Sequence, residues 1–400
     1  MVFDVAVIGM GLVGSAALRH LSASGLSAVG IGPGEPENWS THAGPFASHY
    51  DSGRITRRLD ARYEWAVLAS RSIEQYPVIE KASGLRFHRP VGFLFVRNDE
   101  AGIKQQRQVI DRLNLPVAIS GTSDSEFDEF MFPSGWTVLH ESGPAGHIDP
   151  RLMAQAQLIV SGRQGAVTHS SYATALERFA GGFRIRTHDG REFEAGRVLL
   201  ATGPYLNDLL ARPLAAQVVP EAVVLAQVDE GEAGRLAEMP TVVYLLDHAV
   251  HDDVYLVPPV RYPDGRWYLK MGASIAGARA LESAEDKRAW MGGSAAYQQL
   301  ESMRNVLERM LPGVAFESFA MKPCLITDTA HGLPFVDEVE DGLVVAAGGN
   351  GHAAKSADAI GALGAGLTAT GEWRDLELDR SSFTAVFDAF RRVSGSRHGN

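Results

Sequence analysis

A glycine motif near the N-terminus has the residue types and spacing of a phosphate-binding turn. Gly9, Gly11 and Gly14 form the pattern G-x-G-x-x-G directly after the apolar run Val5–Ile8. The first glycine permits a tight turn, the second lets the backbone approach a pyrophosphate, and the third lets the following helix pack against the strand. The amides and positive dipole end of that helix attract the pyrophosphate. The motif predicts a dinucleotide site rather than a plain glycine-rich turn.

Basic residues cluster in a second segment, Ser48–Arg57, which reads SHYDSGRITR. Arg54 and Arg57 lie three positions apart, a spacing that places both guanidinium groups on one side of a turn or helix start. Such a pair can hold an anionic substrate group. Taken alone, the segment is more typical of an exposed basic turn that continues into Arg58 and Arg62. Its interpretation as a site therefore depends on the other motifs.

The carboxylate that usually binds the ribose of a dinucleotide is missing. In dinucleotide-binding domains an Asp or Glu ends the second strand, about 20 residues after the glycine motif. Here the second strand, Ala28–Ile31, is followed by Gly32. Glu35 or Glu37 in the next turn could replace the carboxylate, and solvated loop acids are an equally good interpretation of both.

The elements around these motifs have the β-α-β order of a dinucleotide-binding half-domain. Two further buried strands end on glycine. The first is Arg197–Gly203, which follows a predicted hairpin around Asp189-Gly190. The second is Gly342–Gly349, which precedes a helix predicted from about Ala353. Strands of this kind, spread over the chain, predict one nucleotide domain assembled from separate segments.

We therefore predict an α/β fold with two domains. A Rossmann-like domain, a parallel sheet with helices on both faces, covers residues 1–85, 146–215 and 322–400. A β-rich (α+β) substrate-binding domain covers residues 86–145 and 216–321. Its strands Val254–Val257 and Trp267–Met271 are typical of a half-buried antiparallel sheet. The site is expected between the domains, where pockets form preferentially.

Composition excludes several classes of protein. The 400 residues carry 37 Lys and Arg against 48 Asp and Glu, and the net charge of −11 argues against binding to nucleic acid or an anionic membrane. One cysteine and no metal-ligand spacing of histidines predict no disulfide and no metal. The N-terminus lacks signal-peptide features and no apolar run could span a membrane, so we expect a cytoplasmic protein. The oligomeric state is left open and is compatible with a monomer.

Residues 321–356 carry the most specific motifs. Met321–Thr329 reads MKPCLITDT and Gly348–Lys355 reads GGNGHAAK. With the two N-terminal motifs, in this order, they give a chain that resembles the D-amino acid oxidase superfamily of FAD-dependent oxidoreductases. Within it, the sequence is most similar to the branch of monomeric sarcosine oxidase, N-methyltryptophan oxidase and pipecolate oxidase. The resemblance covers nearly the whole chain.

The resemblance implies that the dinucleotide is FAD and that the Rossmann-like domain is an FAD-binding domain. In that branch the cysteine of the C-x-x-T-x-T stretch attaches the flavin, so Cys324 is a candidate for a covalent thioether, and a buried, inert thiol is the alternative. The residues implied to contact FAD are Gly9, Gly11, Leu12, Val13, Gly14, Ser48, His49, Arg54, Val167, Thr202, Gly203, Cys324, Gly349, Asn350, Gly351, His352 and Lys355.

The resemblance also implies roles for four side chains of the basic and G-H-x-x-K motifs. Arg57 and Lys355 would bind the substrate carboxylate, while Arg54 and His352 would line the flavin and belong to the catalytic set. The helix after Gly351 could aim its N-terminal amides at the flavin and stabilise charge there. A helix-capping histidine and a surface lysine are the alternative interpretation of this last motif.

Two residues of the substrate domain complete the implied catalytic set. Lys270 matches the lysine that lies by flavin N5 and activates oxygen, where a cation is useful because electron transfer to O2 creates an anion. An outward-facing strand lysine is the alternative. Tyr255 matches an active-site tyrosine. Ser274 stands where the sarcosine-oxidase branch has a histidine, so sarcosine itself is not expected as the substrate.

The resemblance implies an FAD-dependent oxidase of an amino acid or related amine, with a secondary, N-alkyl or cyclic amine favoured. The C–N bond would become an imine that water hydrolyses, and O2 would become H2O2. One alternative is a flavin-dependent dehydrogenase that uses another electron acceptor. The other is a non-catalytic FAD-binding sensor, against which the gathered cations argue. The implied partners are thus a small amine or amino acid and O2.

Overall fold

The N-terminal turn forms because its glycines allow very close backbone contacts. The computed structural model describes residues 2–124, 127–246, 248 and 250–387. Strand β1 (Val2–Ile8) leads through the turn into helix α1 (Leu12–Ala23) and strand β2 (Ala28–Ile31). Gly9 has φ +101°, and a Cβ at this position would lie 2.4 Å from the carbonyl oxygen of Ala201. Only glycine fits there, and the predicted β-α-β unit is confirmed.

The described residues contain nineteen strands and eight α-helices in total. The other strands are β3 (Arg54–Thr56), β4 (His88–Arg89), β5 (Phe93–Arg97), β6 (Val117–Gly121), β7 (Thr137–Glu141), β8 (Gly146–Ile148), β9 (Val167–His169), β10 (Ala173–Phe179), β11 (Gly182–Thr187), β12 (Glu192–Leu200), β13 (Ala216–Val228), β14 (Thr241–Leu245), β15 (His251–Arg261), β16 (Trp267–Ile275), β17 (Ser318–Thr329), β18 (Phe335–Glu340) and β19 (Leu343–Ala347). The other helices are α2 (Tyr63–Ser83), α3 (Glu100–Leu113), α4 (Pro150–Arg163), α5 (Glu230–Arg235), α6 (Ala284–Gly292), α7 (Leu300–Met310) and α8 (Ala353–Thr370).

The first sheet has a parallel centre. Its strand order is β10-β11-β12-β1-β2-β9, and β19 continues it from β12 to β18. Strands β9, β2, β1, β12 and β19 are parallel to their neighbours in this central part. The long strand β12 pairs with β11 through its first half and with β19 through its second half. The prediction of a separate strand from Arg197 was therefore wrong, because this strand already begins at Glu192.

The two faces of this sheet are covered differently. Helices α1 and α8 pack on one face, and a Cβ on Gly361 of α8 would lie 2.8 Å from the Cβ of Ala16 in α1. The other face packs against Phe183 of β11 and against Leu206 and Leu214 of the segment after β12. The predicted helices on both faces were wrong, because within the described ranges the apolar cluster on the second face contains no residue of an α-helix. The α/β fold class itself is confirmed.

The second sheet has the strand order β17-β13-β16-β15-β14-β5-β7-β6 and is antiparallel except between β14 and β5. Side chains alternate between its faces. In β16, Leu269 and Met271 pack into a core with Met303 of α7, whereas Lys270 and Gly272 point to the other face. All four residues are buried. The predicted half-buried sheet was wrong, because both faces of its central strands are covered.

The basic segment takes part in a small third sheet of order β3-β8-β4. Arg54 begins strand β3, and Arg57 follows directly after its end. Because extended residues alternate sides, residues three apart diverge. The prediction that both arginines share one side of a turn or helix start was wrong, and their guanidinium groups have different partners.

The sheets draw on interleaved parts of the chain. The first uses residues 2–31, 167–200 and 335–347, and the second uses residues 93–141, 216–275 and 318–329. Strand β17 crosses the predicted domain boundary at residue 322, and the domain limits stay a prediction. No helix within the described ranges is long and apolar enough to cross a membrane. The same ranges hold no group of three or more His, Cys, Asp or Glu placed to bind a metal ion.

Candidate cofactor and substrate site

A cavity of about 580 Å³ lies where the glycine turn, the segment before β3, one face of the second sheet and the start of α8 meet. The predicted site residues in its wall are Gly9, Gly11, Leu12, Val13, Ser48, His49, Arg54, Arg57, Thr202, Gly203, Tyr255, Cys324, Gly349, Gly351, His352 and Lys355. The predicted residues that do not line it are Gly14, Val167, Lys270 and Asn350. One cavity thus brings together residues from distant parts of the chain.

Three of the residues outside the wall have identifiable structural positions. A Cβ on Gly14 would lie 1.7 Å from the carbonyl oxygen of Gly9, so this glycine packs α1 against the turn. Asn350 has φ +47°, and its side chain donates to Gly348 O and accepts from Thr329 N, both at 2.8 Å. Val167 is 42% exposed in the edge strand β9. The first two shape the cavity, and Val167 lies away from it.

The glycine turn presents unsatisfied polar groups to the cavity. Helix α1 begins after Gly11 with no side-chain cap and no acidic residue in its first turn. His49 Nδ1 and Thr202 Oγ1 are buried in the same wall without a hydrogen-bond partner among the described residues. Burial lowers the pKa of His49 to about 4, so its ring is neutral at pH 7. Buried polar atoms normally have a partner, and a dinucleotide such as FAD would provide one.

The missing ribose carboxylate has a steric cause. A Cβ on Gly32 would lie 2.6 Å from the backbone nitrogen of Met10, so a side chain does not fit there. Glu35 accepts two hydrogen bonds of 2.6 Å from Arg151, and neither Glu35 nor Glu37 lines the cavity. A ribose role for either acid stays a prediction.

A buried carboxylate, Asp51, holds the predicted oxygen-activating lysine. Lys270 Nζ lies 2.6 Å from Asp51 Oδ2 and 2.7 Å from Gly53 O, and both side chains are almost fully buried. The Arg54 guanidinium also binds Asp51 Oδ2. A third cation, Lys322, lies 3.8 Å from Asp51 Oδ1. One carboxylate therefore binds three cations directly behind the cavity wall.

Burial and neighbouring charges set the protonation of this cluster. Burial would raise the pKa of Asp51, but Lys270, Arg54 and Lys322 hold it well below its usual range. Burial and, to a lesser extent, the Arg54 cation lower the pKa of Lys270 to about 8, against the attraction of Asp51. Lys270 is therefore largely protonated at pH 7 and loses its charge as the pH rises through about 8.

A second buried carboxylate, Asp60, lies at the predicted substrate-carboxylate site. Its Oδ2 atom accepts from Lys355 Nζ at 2.6 Å and from Arg57 Nη1 at 3.2 Å. It also lies 2.9 Å from His352 Nδ1, whose ring stacks on Trp65 with 5.0 Å between ring centroids. The two cations expected to bind a substrate anion thus already share an internal carboxylate.

Burial and the neighbouring charges shift the pKa values of Asp60 and of the groups that contact it. Burial would raise the pKa of Asp60, but Lys355, His352 and Arg57 hold it well below its usual range. Burial lowers the pKa of Lys355 to about 8, against the attraction of Asp60. With Asp60 ionised and both Arg57 and Lys355 protonated, this end of the cavity keeps a net positive charge.

Cys324 lies in β17 on the face of the second sheet that meets the cavity. Its thiol is buried 3.5 Å from Arg54 Nη2, and burial raises its pKa while the Arg54 cation opposes the rise. Its backbone register partner in β13 is Glu221. Glu221 accepts a hydrogen bond of 3.3 Å from the hydroxyl of Tyr255. These residues form one polar patch on the sheet face that also carries Lys270.

Sequence reasoning missed three carboxylates of the site: Asp51, Asp60 and Glu221. Asp51 lies inside the basic motif, and Asp60 follows Arg57 by three residues. Glu221 interrupts the apolar strand segment VVPEAVV. A charged residue inside a buried strand is unusual, so this last carboxylate could have been found.

A dinucleotide turn, a parallel sheet and a cation-lined cavity under a second sheet define a flavin-type oxidoreductase. The family described as "DAO: FAD dependent oxidoreductase" matches residues 4–367. The chain belongs to this family of FAD-dependent oxidoreductases, and FAD is its cofactor. The resemblance seen in the sequence is confirmed.

Individual proteins are similar to this chain in sequence or in fold. Monomeric sarcosine oxidase of Streptomyces avermitilis is 24% identical over 385 residues, covering 92% of this chain and 94% of that protein. A similar structure is that of the Tyr258Phe mutant of NikD, an unusual amino acid oxidase essential for nikkomycin biosynthesis. The TM-score is 0.77 with 20% sequence identity, and the match covers 98% of this chain and 100% of the NikD chain. L-proline dehydrogenase from P. horikoshii matches with a TM-score of 0.69 and 16% identity, over 95% and 96% of the two chains.

Proposed function

We propose that the protein is an FAD-dependent oxidase of an amino acid or related amine, with a secondary, N-alkyl or cyclic amine favoured. The observation that carries the proposal is the single cavity in which the glycine turn, Arg54, Arg57, Cys324 and Lys355 meet. The substrate C–N bond becomes an imine that water hydrolyses, while O2 is reduced to H2O2. The similarity to a sarcosine oxidase and to an amino acid oxidase supports this reaction class.

The side chains supply binding, orientation and charge. Bound FAD supplies the two-electron acceptor for the C–N oxidation. Arg57 and Lys355, which Asp60 positions, hold the substrate carboxylate and so orient the C–N bond. The buried side chain of Val243 and the partly buried ring of Tyr255 form the apolar part of this wall. Arg54 in the wall and Lys270 behind it place positive charge near the site where reduction of O2 creates negative charge.

The test is anaerobic absorbance of the FAD-loaded protein during addition of N-methyl, cyclic and D-amino acids. We expect one member of the panel to bleach the flavin band, and air to restore the band with release of H2O2. A yellow protein that no amine or amino acid bleaches would contradict the proposed function. The cytoplasmic location and the monomeric state stay predictions that this test does not address.

We infer that Cys324 attaches FAD covalently, because the thiol lies in the cavity wall beside the Arg54 cation. The Cys324→Ser variant should release all of its FAD on acid denaturation, whereas the native protein should keep it. Flavin fluorescence of the two denatured proteins on a gel measures the difference. A colourless native band would show that the thiol is inert.

A dehydrogenase is the second candidate, and one structural observation favours it. Asp51 binds Lys270 at 2.6 Å and offsets part of the charge that would assist O2. A good substrate identified in the panel discriminates the two activities. Stoichiometric H2O2 supports the oxidase, and turnover only with an artificial electron acceptor supports the dehydrogenase.

A further inference from the structure

Glu221 is a buried carboxylate in the cavity wall that the reaction as described does not use. It is 5% exposed and lines the cavity from β13. Among the described residues the wall contains one other carboxylate, Asp208, whose side chain is 41% exposed and pairs with Lys287 at 3.2 Å. The Tyr255 hydroxyl and the Arg54 cation in the same wall offset part of the cost of burying this carboxylate. Its place in the wall makes it a group that a bound ligand can contact.

The local structure aims Glu221 and Tyr255 at the same place. Tyr255 lies in β15, two strands away from Glu221, and its ring crosses the intervening strand β16 over Gly272. A Cβ on Gly272 would lie only 2.1–2.4 Å from the Tyr255 ring atoms. The glycine therefore creates the space through which the Tyr255 hydroxyl reaches Glu221. The two side chains form a preorganised acceptor patch, which we call the Glu221–Tyr255 pair.

This pair is far from the anion-binding end of the cavity. The Arg57 guanidinium lies over the rings of Phe93 and Phe95 in β5, at 5.0 and 5.8 Å from their centroids. Strand β13 is four positions from β5 in the sheet, which corresponds to about 19 Å between backbones. An α-amine lies one carbon from its carboxylate, so it cannot contact Glu221 while the carboxylate is bound at Arg57. A group that reaches Glu221 belongs to the distal end of a longer substrate.

We propose that the Glu221–Tyr255 pair binds a cationic group at the distal end of the substrate, so that the enzyme selects amino acids with a basic side chain. This inference rests on the proposed function, because it assumes a carboxylate bound at Arg57 and Lys355. Charge complementarity supports it: the cavity has a cationic end at Arg57 and Lys355 and an anionic group at Glu221. A substrate with a carboxylate and a distal ammonium matches both.

The test compares Nα-methyl-lysine with N-methyl-norleucine, which lacks only the side-chain ammonium, in both enantiomers. Binding is followed by the change in flavin absorbance and turnover by H2O2 release. We expect the native enzyme to favour the lysine derivative and Glu221→Gln to weaken its binding and raise its KM roughly 10- to 100-fold, the loss of a charge-assisted hydrogen bond. The binding and KM of the norleucine derivative should be the same in the Glu221→Gln variant as in the native enzyme. Asp208→Asn is the matched control and should change the binding and KM of neither compound.

The outcomes separate this inference from the proposed function. Equal effects of Glu221→Gln on both compounds, or no effect on either, would overturn the distal cation site while leaving oxidase activity established. Loss of bound flavin in Glu221→Gln would also overturn it, because the carboxylate would then serve the cofactor. If no amine is oxidised, the proposed function fails, and the binding titration still tests whether Glu221 selects the cationic compound.

Discussion

The Asp60→Ala variant is expected to lose about 3–5 kcal/mol of unfolding free energy, the usual effect of removing one partner from a buried ion pair. Asp60 Oδ2 contacts Lys355, His352 and Arg57, and all four side chains are buried. Without the carboxylate, the buried Arg57 and Lys355 cations would repel each other with no negative charge between them. Urea denaturation of the FAD-loaded proteins, with comparison of slopes as well as midpoints, measures the loss.

Removing the negative charge of Asp60 should also change ligand binding, in the opposite direction to stability. In Asp60→Asn the cations Arg57 and Lys355 no longer share a negative charge, so a small carboxylate inhibitor should bind several-fold more tightly than to the native enzyme. Asp358 is the matched control: it is 2% exposed, pairs with Arg19 at 2.7 Å and does not line the cavity. Asp358→Asn should lower stability without changing inhibitor affinity. Equal inhibitor affinity in native and Asp60→Asn enzymes would contradict the assignment of this anion site.

The pH dependence of the stability effect has a defined sign. The folded pKa of Asp60 is held well below its value in the unfolded chain. Its contribution to stability is therefore complete above the unfolded pKa, near 4, and disappears as the pH falls toward the folded pKa. The part of the stability difference between the native and Asp60→Ala proteins that comes from ionisation of Asp60 should be complete at neutral pH and should shrink in acid.

Local sequence signals predicted the parts of the site that depend on local structure. The glycine turn and the strand Ala28–Ile31 could be found because their geometry is determined within about 25 residues. Alternation along strands also explains why Tyr255, Lys270 and Cys324 share one face of the second sheet. Arg54 and Arg57 show the limit of spacing arguments, since the same spacing has opposite consequences in a helix and in a strand.

The charge partners could not be predicted, because they join residues far apart in the chain. Lys270 pairs with Asp51 across 219 positions, and Lys355 pairs with Asp60 across 295. Nothing in the local sequence of either lysine specifies a carboxylate partner, since the pairing depends on how two sheets and α8 pack. The cations themselves could be identified from the resemblance, but the fact that each shares its charge with a buried carboxylate emerges only in three dimensions.

The Lys270→Met variant is expected to slow the O2-dependent half of turnover roughly 100-fold, within the range found when one preorganised charge-stabilising group is removed. Lys270 is fully buried, and Asp51 and Gly53 O fix its ammonium group behind the Arg54 side of the cavity. The rate at which substrate reduces the flavin in the absence of O2 should change little, because Lys270 does not line the cavity. Rapid mixing of the substrate-reduced enzyme with O2 measures the rate.

Protonation of Lys270 supplies an internal check on this expectation. Because its pKa is lowered to about 8, the rate with O2 in the native enzyme should fall as the pH rises through about 8 and approach the rate of Lys270→Met. Lys270→Arg should keep the charge and remove this pH dependence. Lys287→Met is the control, since Lys287 is buried and paired with Asp208 but lies outside the Asp51 cluster. An equal slowing by Lys287→Met, or an unchanged rate in Lys270→Met, would show that the buried cation does not assist O2 and would favour the dehydrogenase.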